Sequence, residues 1–186
     1  MNKRRKTYLN ILLILLVLAF FVTPLGYEGK VLLNKIFSFS PDITPVEERK
    51  QIEDYDWTLK DSEWKQFNFE QSKGKVVFVN FWASWRLPSL AELQSIQELY
   101  NKYQGKVDFY IITDEEREPV QEFMEEHDFT FPVTYLIIGG KSPFPTADPP
   151  RTYILGKQGQ IAVAKEGIAD WSNKKIYTLL DTLINQ

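Results

Sequence analysis

The run Lys73-Gly74-Lys75-Val76-Val77-Phe78-Val79-Asn80-Phe81-Trp82-Ala83-Ser84-Trp85-Arg86-Leu87-Pro88-Ser89 holds a strand, a turn and the start of a helix in immediate succession. Val76 to Trp82 is β-branched and aromatic except at Asn80, as expected of a central strand covered on both faces. After the turn, Leu90, Leu93, Ile96, Leu99, Tyr100 and Tyr103 recur at spacings of three and four. That is an apolar helix stripe facing a sheet, and it places Glu92, Gln94, Glu98 and Lys102 outside.

Downstream, Val107 to Thr113 reads as the next strand. Thr113-x-x-Glu116 has the form of a capping box and Pro119 suits a first helical turn, so a second helix presents Val120, Phe123, Met124 and His127 on one face. Thr152 to Leu155 and Gln160 to Lys165 are short strands whose link, Gly156-Lys157-Gln158-Gly159, is brief enough only for an antiparallel hairpin. Trp171-Ser172-Asn173 offers a cap for a closing helix carrying Ile176, Leu179, Leu180 and Leu183. Pro132, Pro143, Pro145, Pro149 and Pro150 concentrate in the segment between the halves, which reads as a loop or lid. The order is β-α-β-α-β-β-α with a mixed sheet.

Upstream, Ile11 to Val22 is an unbroken apolar run, extending to Tyr8–Leu25 if Asn10 and Thr23 are admitted. Length alone allows either a spanning helix, which needs about 17–25 residues, or the shorter core of a cleaved signal. The approach Phe20-Phe21-Val22-Thr23-Pro24 lacks a small-x-small cleavage pattern and favours a retained anchor. Lys3, Arg4, Arg5 and Lys6 precede the run, so the N-terminus stays cytoplasmic and the remainder is exported. The expected organisation is a basic tail (1–7), a transmembrane signal anchor (8–25), a juxtamembrane stalk or linker (26–54) and one domain (55–186). Within the stalk, Val31, Leu32, Ile36, Phe37 and Phe39 could form a short interfacial helix.

Composition narrows the chemistry. Of 186 residues, 44% are hydrophobic and 25% charged, a globular balance. The net charge is −3, and because Lys3, Arg4, Arg5 and Lys6 contribute +4 ahead of any acid, the remainder carries −7 and repels nucleic-acid phosphates. There is no cysteine, so disulfides, thiolate metal ligands and thiol nucleophiles are excluded. The sole histidine, His127, lies in Glu-Glu-His-Asp and reads as a solvated helix end. No catalytic residue, metal site or cofactor is assigned.

The Lys73–Trp85 run, followed by Pro88 and Glu92, resembles the TlpA/ResA-type membrane-anchored thioredoxin-like proteins. Their pattern is Lys-Gly-Lys, an apolar strand, Asn-Phe-Trp-Ala-x-Trp and then Cys-x-x-Cys. Pro150-Arg151-Thr152-Tyr153-Ile154-Leu155 with Gly159, and later Gly167 and Trp171, extend the likeness, which covers residues 55–186. The resemblance implies a thioredoxin-like α/β fold, a mixed central sheet flanked by helices, preceded here by the N-terminal transmembrane helix. It also implies a single-pass protein of the bacterial cytoplasmic membrane with its domain on the extracytoplasmic, periplasmic side. Pro150 corresponds to the family's cis-proline, whose preceding residue pairs with an extended substrate; here that residue is Pro149, which has no N–H to donate.

At the family's dithiol this chain reads Arg86-Leu87-Pro88-Ser89. Exchange needs a thiolate to attack and a second thiol to resolve, so that chemistry is gone. Ser89-Leu90-Ala91-Glu92 reads as a capping box rather than a nucleophile, having no histidine beside it. Arg86 is either a solvated side chain or, with Trp85, a cationic contact for a partner. Three roles remain. The first is a redox-inactive, membrane-tethered binder of an envelope protein or peptide through Trp85, Arg86, Leu87, Pro88, Pro149, Pro150 and Arg151, with the proline-rich segment from Pro143 alongside. The second is an enzyme of non-thiol chemistry, which would need groups such as Asp114, Glu115, Ser89 or Thr152 to converge. The third is a structural spacer.

Overall fold

The computed structural model describes residues 3–22, 39–137, 139–145 and 148–186. The first helix, α1 (Lys3–Val22), exposes Tyr8, Leu9 and Leu18 among other large apolar side chains. Among the described residues no helix is long and apolar enough to cross a membrane. Residues 23–38, which include the end of the anticipated anchor and all of the stalk's apolar stretch but Phe39, lie outside the described residues.

Seven strands form one mixed sheet in the order β2-β1-β5-β4-β3-β6-β7. They are β1 (Thr58–Lys60), β2 (Gln66–Asn68), β3 (Val77–Phe81), β4 (Asp108–Thr113), β5 (Val133–Tyr135), β6 (Arg151–Leu155) and β7 (Ile161–Glu166). β3 lies between β4, to which it is parallel, and β6, to which it is antiparallel. Four of its five residues are buried, as its near-continuous apolar run requires. The hairpin β6–β7 forms with Arg151 opposite Glu166 and Thr152 opposite Lys165. Its turn needs Gly159, at φ +80°, where an added Cβ would stand 2.6 Å from the Tyr55 hydroxyl oxygen.

Three further helices follow: α2 (Leu87–Tyr103), α3 (Arg117–Glu126) and α4 (Lys174–Asn185). Their apolar faces join Phe78, Phe109, Ile111 and Ile154 of the sheet in one buried cluster. Residues on the alternate side of the strands, Val77, Val79, Tyr110, Ile112, Tyr153 and Leu155, join a second cluster. It is largely aromatic: Trp57, Phe69 and Phe144 meet edge to face, and Phe144 stacks on Tyr153 at 4.7 Å.

Two capping boxes do not form. α2 begins at Leu87 with Arg86 at its N-cap, so Ser89 lies inside the helix, 0% exposed, and accepts the Ala83 N–H at 3.3 Å. Pro88, which has no N–H to leave unpaired in the first turn, permits the earlier start. Thr113 is the last residue of β4, and its hydroxyl turns to Glu115 while Glu116 takes the N-cap of α3 without a side-chain bond. The cap at α4 does form, with Asn173 Oδ1 accepting from Ile176 N–H at 3.1 Å. His127, read as solvated, is half-buried at the C-cap of α3, with Nδ1 2.9 Å from Phe123 O and its ring stacked on Phe129.

The proline-rich segment is not a free lid. It opens with β5, paired in parallel with β4, and is pinned by Phe144, 3% exposed in the aromatic cluster. The stretch read as leading into the domain is packed against it from residue 39. Asp170 N–H donates to Phe39 O, Thr44 N–H to Ala162 O, Ile161 N–H to Lys50 O and Ile52 N–H to Gly159 O. The three-residue strands β1, β2 and β5 are too short to register as a period of two.

Candidate functional site

The loop between β3 and α2 is held from below and from the side. Glu115 accepts the Ser84 N–H at 2.7 Å and the Ser84 hydroxyl, which fixes the backbone ahead of Trp85 and Arg86. Trp85 is 71% exposed. The Arg86 guanidinium lies 5.4 Å from its ring and 3.8 Å from the Asp148 carboxylate, at the end of the proline-rich segment. A cation at a helix N-terminus is disfavoured by about 0.3–1 kcal/mol, and the nearby carboxylate offsets part of that. Asp148 is almost fully exposed, so the ion pair itself contributes little.

Asp148 leads into the Pro149–Pro150 peptide, which is cis as the family likeness implied. Pro150 O accepts the Gly167 N–H at 2.9 Å. Thus Arg86, Pro149 and Pro150 meet through Asp148, with half-buried Leu87 and Pro88 following in the first turn of α2. Arg151 is engaged elsewhere: its guanidinium bonds Glu166 at 2.8 Å across β7 and lies over the Tyr153 ring at 5.4 Å.

Beneath the loop is a buried polar cluster centred on Glu92. Asn80 Nδ2 donates to Glu92 Oε1 at 2.7 Å and to Thr152 Oγ1 at 2.8 Å, joining β3, α2 and β6. Glu92 Oε2 accepts from the Ala169 N–H and the Trp171 indole N–H, each at 3.2 Å. Burial pushes the Glu92 carboxyl up to about 8, against the opposing pull of those donors and of Lys165. The apolar stripe of α2 leaves Glu92 on the outer face, yet it is 0% exposed. The signal that would have found it is spacing: Ser89, Glu92, Ile96, Leu99 and Tyr103 share the buried stripe.

The four polar residues required for non-thiol chemistry do not converge. Glu115 is committed to Ser84, Ser89 to Ala83 and Thr152 to Asn80, while Asp114 is exposed. Among the described residues no hydrogen bond joins any two of them, and no group of three or more His, Cys, Asp or Glu could hold a metal ion.

Residues 53–135 match the AhpC/TSA family. The chain is 28% identical over 161 residues to the thioredoxin-like protein YneN of Bacillus subtilis (strain 168), covering 84% of this chain and 87% of that one. It is 31% identical over 121 residues to the thiol-disulfide oxidoreductase ResA of Bacillus thuringiensis subsp. konkukian (strain 97-27), covering 62% of this chain and 69% of that one. A secreted thiol-disulfide isomerase from Corynebacterium glutamicum superposes with a TM-score of 0.60 at 21% identity, covering 81% of this chain and 98% of that one, a likeness of fold.

Proposed function

This chain belongs to the TlpA/ResA-type thioredoxin-like family, and on that premise we propose that it is a redox-inactive member which works by binding another envelope protein or peptide. The observation that carries this reading is Arg86 at the N-cap of α2, paired with Asp148 beside cis-Pro150. A chain without cysteine has no thiolate to attack a disulfide and no thiol to resolve the product. The surface offered instead is an exposed indole, a guanidinium and an apolar first turn, a combination common in protein contacts. The membrane tether belongs to the same proposal: α1 presents a long apolar surface behind a basic N-terminus, which would hold the domain on the extracytoplasmic face.

Two assays test this. The full chain is expected not to reduce the disulfides of insulin, whereas an Arg86→Cys/Ser89→Cys variant gains that activity, since Ser89 already occupies a buried position in the first turn. Disulfide reduction by the unaltered chain overturns the reading. Crosslinking in cells is expected to lose its specific partner when Trp85→Ala and Arg86→Ala are combined, and an unchanged partner set removes this surface. Carbonate-resistant membrane retention checks the tether.

A further inference from the structure

The turn joining β1 and β2 holds a tryptophan against the sheet. Asp61 Oδ1 accepts from the N–H groups of Glu63 and Lys65 at 2.8 and 3.0 Å, and Trp64 N–H donates to Asp61 O at 3.0 Å. Within this turn Trp64 has φ +62°, a region a bulky side chain seldom enters. Its indole is 40% exposed and lies 6.1 Å from the Tyr135 ring. The two rings, with Lys60, Asp114, Glu115 and Glu116, line a recess of about 280 Å³.

Several independent features give this recess a sign. Three carboxylates face one ammonium. Glu115 is spent on Ser84, but Asp114 and Glu116 are exposed and make no ion pair among the described residues. The lone ammonium, Lys60 Nζ, already sits 4.1 Å over the Trp64 ring, so this indole face accepts a cation. Tyr135 is 3% exposed and lines the recess, and its hydroxyl enters none of the side-chain hydrogen bonds among the described residues. Burial raises its pKa, so it remains a neutral group with oxygen lone pairs to offer; Glu115 and Glu118 reinforce that and Arg117 opposes it. Acids ahead of α3 complement the helix dipole, which explains their presence but neither the exposed indole nor the unpaired phenol.

We propose that this recess seats a lysine or arginine side chain of a polypeptide bound along the carboxyl ends of β3 and β4. The cation lies on the Trp64 face, donates to Asp114 and Glu116, and donates to the Tyr135 hydroxyl oxygen, displacing Lys60 from the ring. Glu115 connects this seat to the Trp85–Arg86 surface through Ser84. The inference rests on the reading above only in taking the ligand to be a polypeptide.

The test is a titration of the full chain in detergent micelles with an uncharged Gly-Ser peptide carrying one arginine, and with its twin carrying neutral citrulline. The Trp64 indole N–H resonance, assigned by its absence in Trp64→Phe, reports binding. The arginine peptide is expected to bind about fivefold or more tightly than the citrulline twin. Asp114→Asn/Glu116→Gln is expected to remove most of that preference, and Lys60→Ala to strengthen binding. Equal affinity for the two peptides, or a double variant that titrates like the unaltered chain, overturns the seat. Trp85→Ala/Arg86→Ala leaves this titration unchanged, so its effect on partner capture bears on the binding function and not on the recess.

Discussion

Glu92 is buried among donors without an ion pair, and that sets how stability should vary with pH. Its folded value, about 8, lies above its ordinary value of 4.5, so the folded protein keeps a proton that the unfolded chain releases. The stabilisation is complete below the unfolded value, declines from about pH 4.5 upward and is exhausted above about pH 8. The thermal midpoint is therefore expected to fall between pH 5 and pH 9, by the equivalent of a few kcal/mol at most. Glu92→Gln is expected to flatten that slope, whatever it does to the midpoint at pH 5. An unchanged slope in the variant would move the titrating group elsewhere. The same residue marks a limit of sequence reading. The apolar stripe of α2 leaves Glu92 on the outer face, and what buries it instead is a set of donors from β3 and the β7–α4 connection, which are distant in sequence.

Elements whose own residues carry an unbroken pattern were legible, and those that depend on particular remote contacts were not. The β6–β7 hairpin and the Asn173 cap are satisfied within a few residues, the β3 run and the α2 stripe carry their pattern along their whole length, and all form where the pattern puts them. The two false capping boxes had the right letters in the wrong register: Pro88 lets α2 start before Ser89, and β4 consumes Thr113 as a strand residue. Asn173→Ala is accordingly expected to cost about 1 kcal/mol in chemical denaturation, since it unpairs the Ile176 N–H. The proline-rich segment depends on Phe144 for its position. Phe144→Ala removes a ring stacked on Tyr153 and in contact with Trp57, Phe69 and Phe81, and is expected to cost about 3 kcal/mol. It should also make residues 139–145 the first site cut in limited proteolysis. Protection equal to that of the unaltered chain would mean that the prolines alone hold the segment.

For the whole molecule, the vacated dithiol position, the Glu92 cluster and the Trp64 recess all belong to one end of a sheet whose far edge is closed by the chain's own N-terminal strap. β7 is an edge strand, and an unpaired edge invites association with other chains. Residues 39–52 cover its start through backbone bonds to Ala162, Ile161 and Gly159, and Lys175 Nζ donates to Pro41 O at 2.8 Å on α4. Buried Pro41 and Ile52 add apolar area to the same contact. The charged, proline-bearing composition of that strap gave no hint of this, because its partners lie more than a hundred residues downstream. The domain therefore extends physically to about residue 39, and a segment that follows α1 in sequence is also what finishes the sheet. A fragment of residues 39–186 is expected to remain monomeric in sedimentation and to melt cooperatively. A fragment of residues 55–186 is expected to melt several degrees lower and to associate with concentration, since it exposes the β7 edge and the face beneath Ile52. Equal melting and equal sedimentation of the two fragments would reduce the strap to a passive tether.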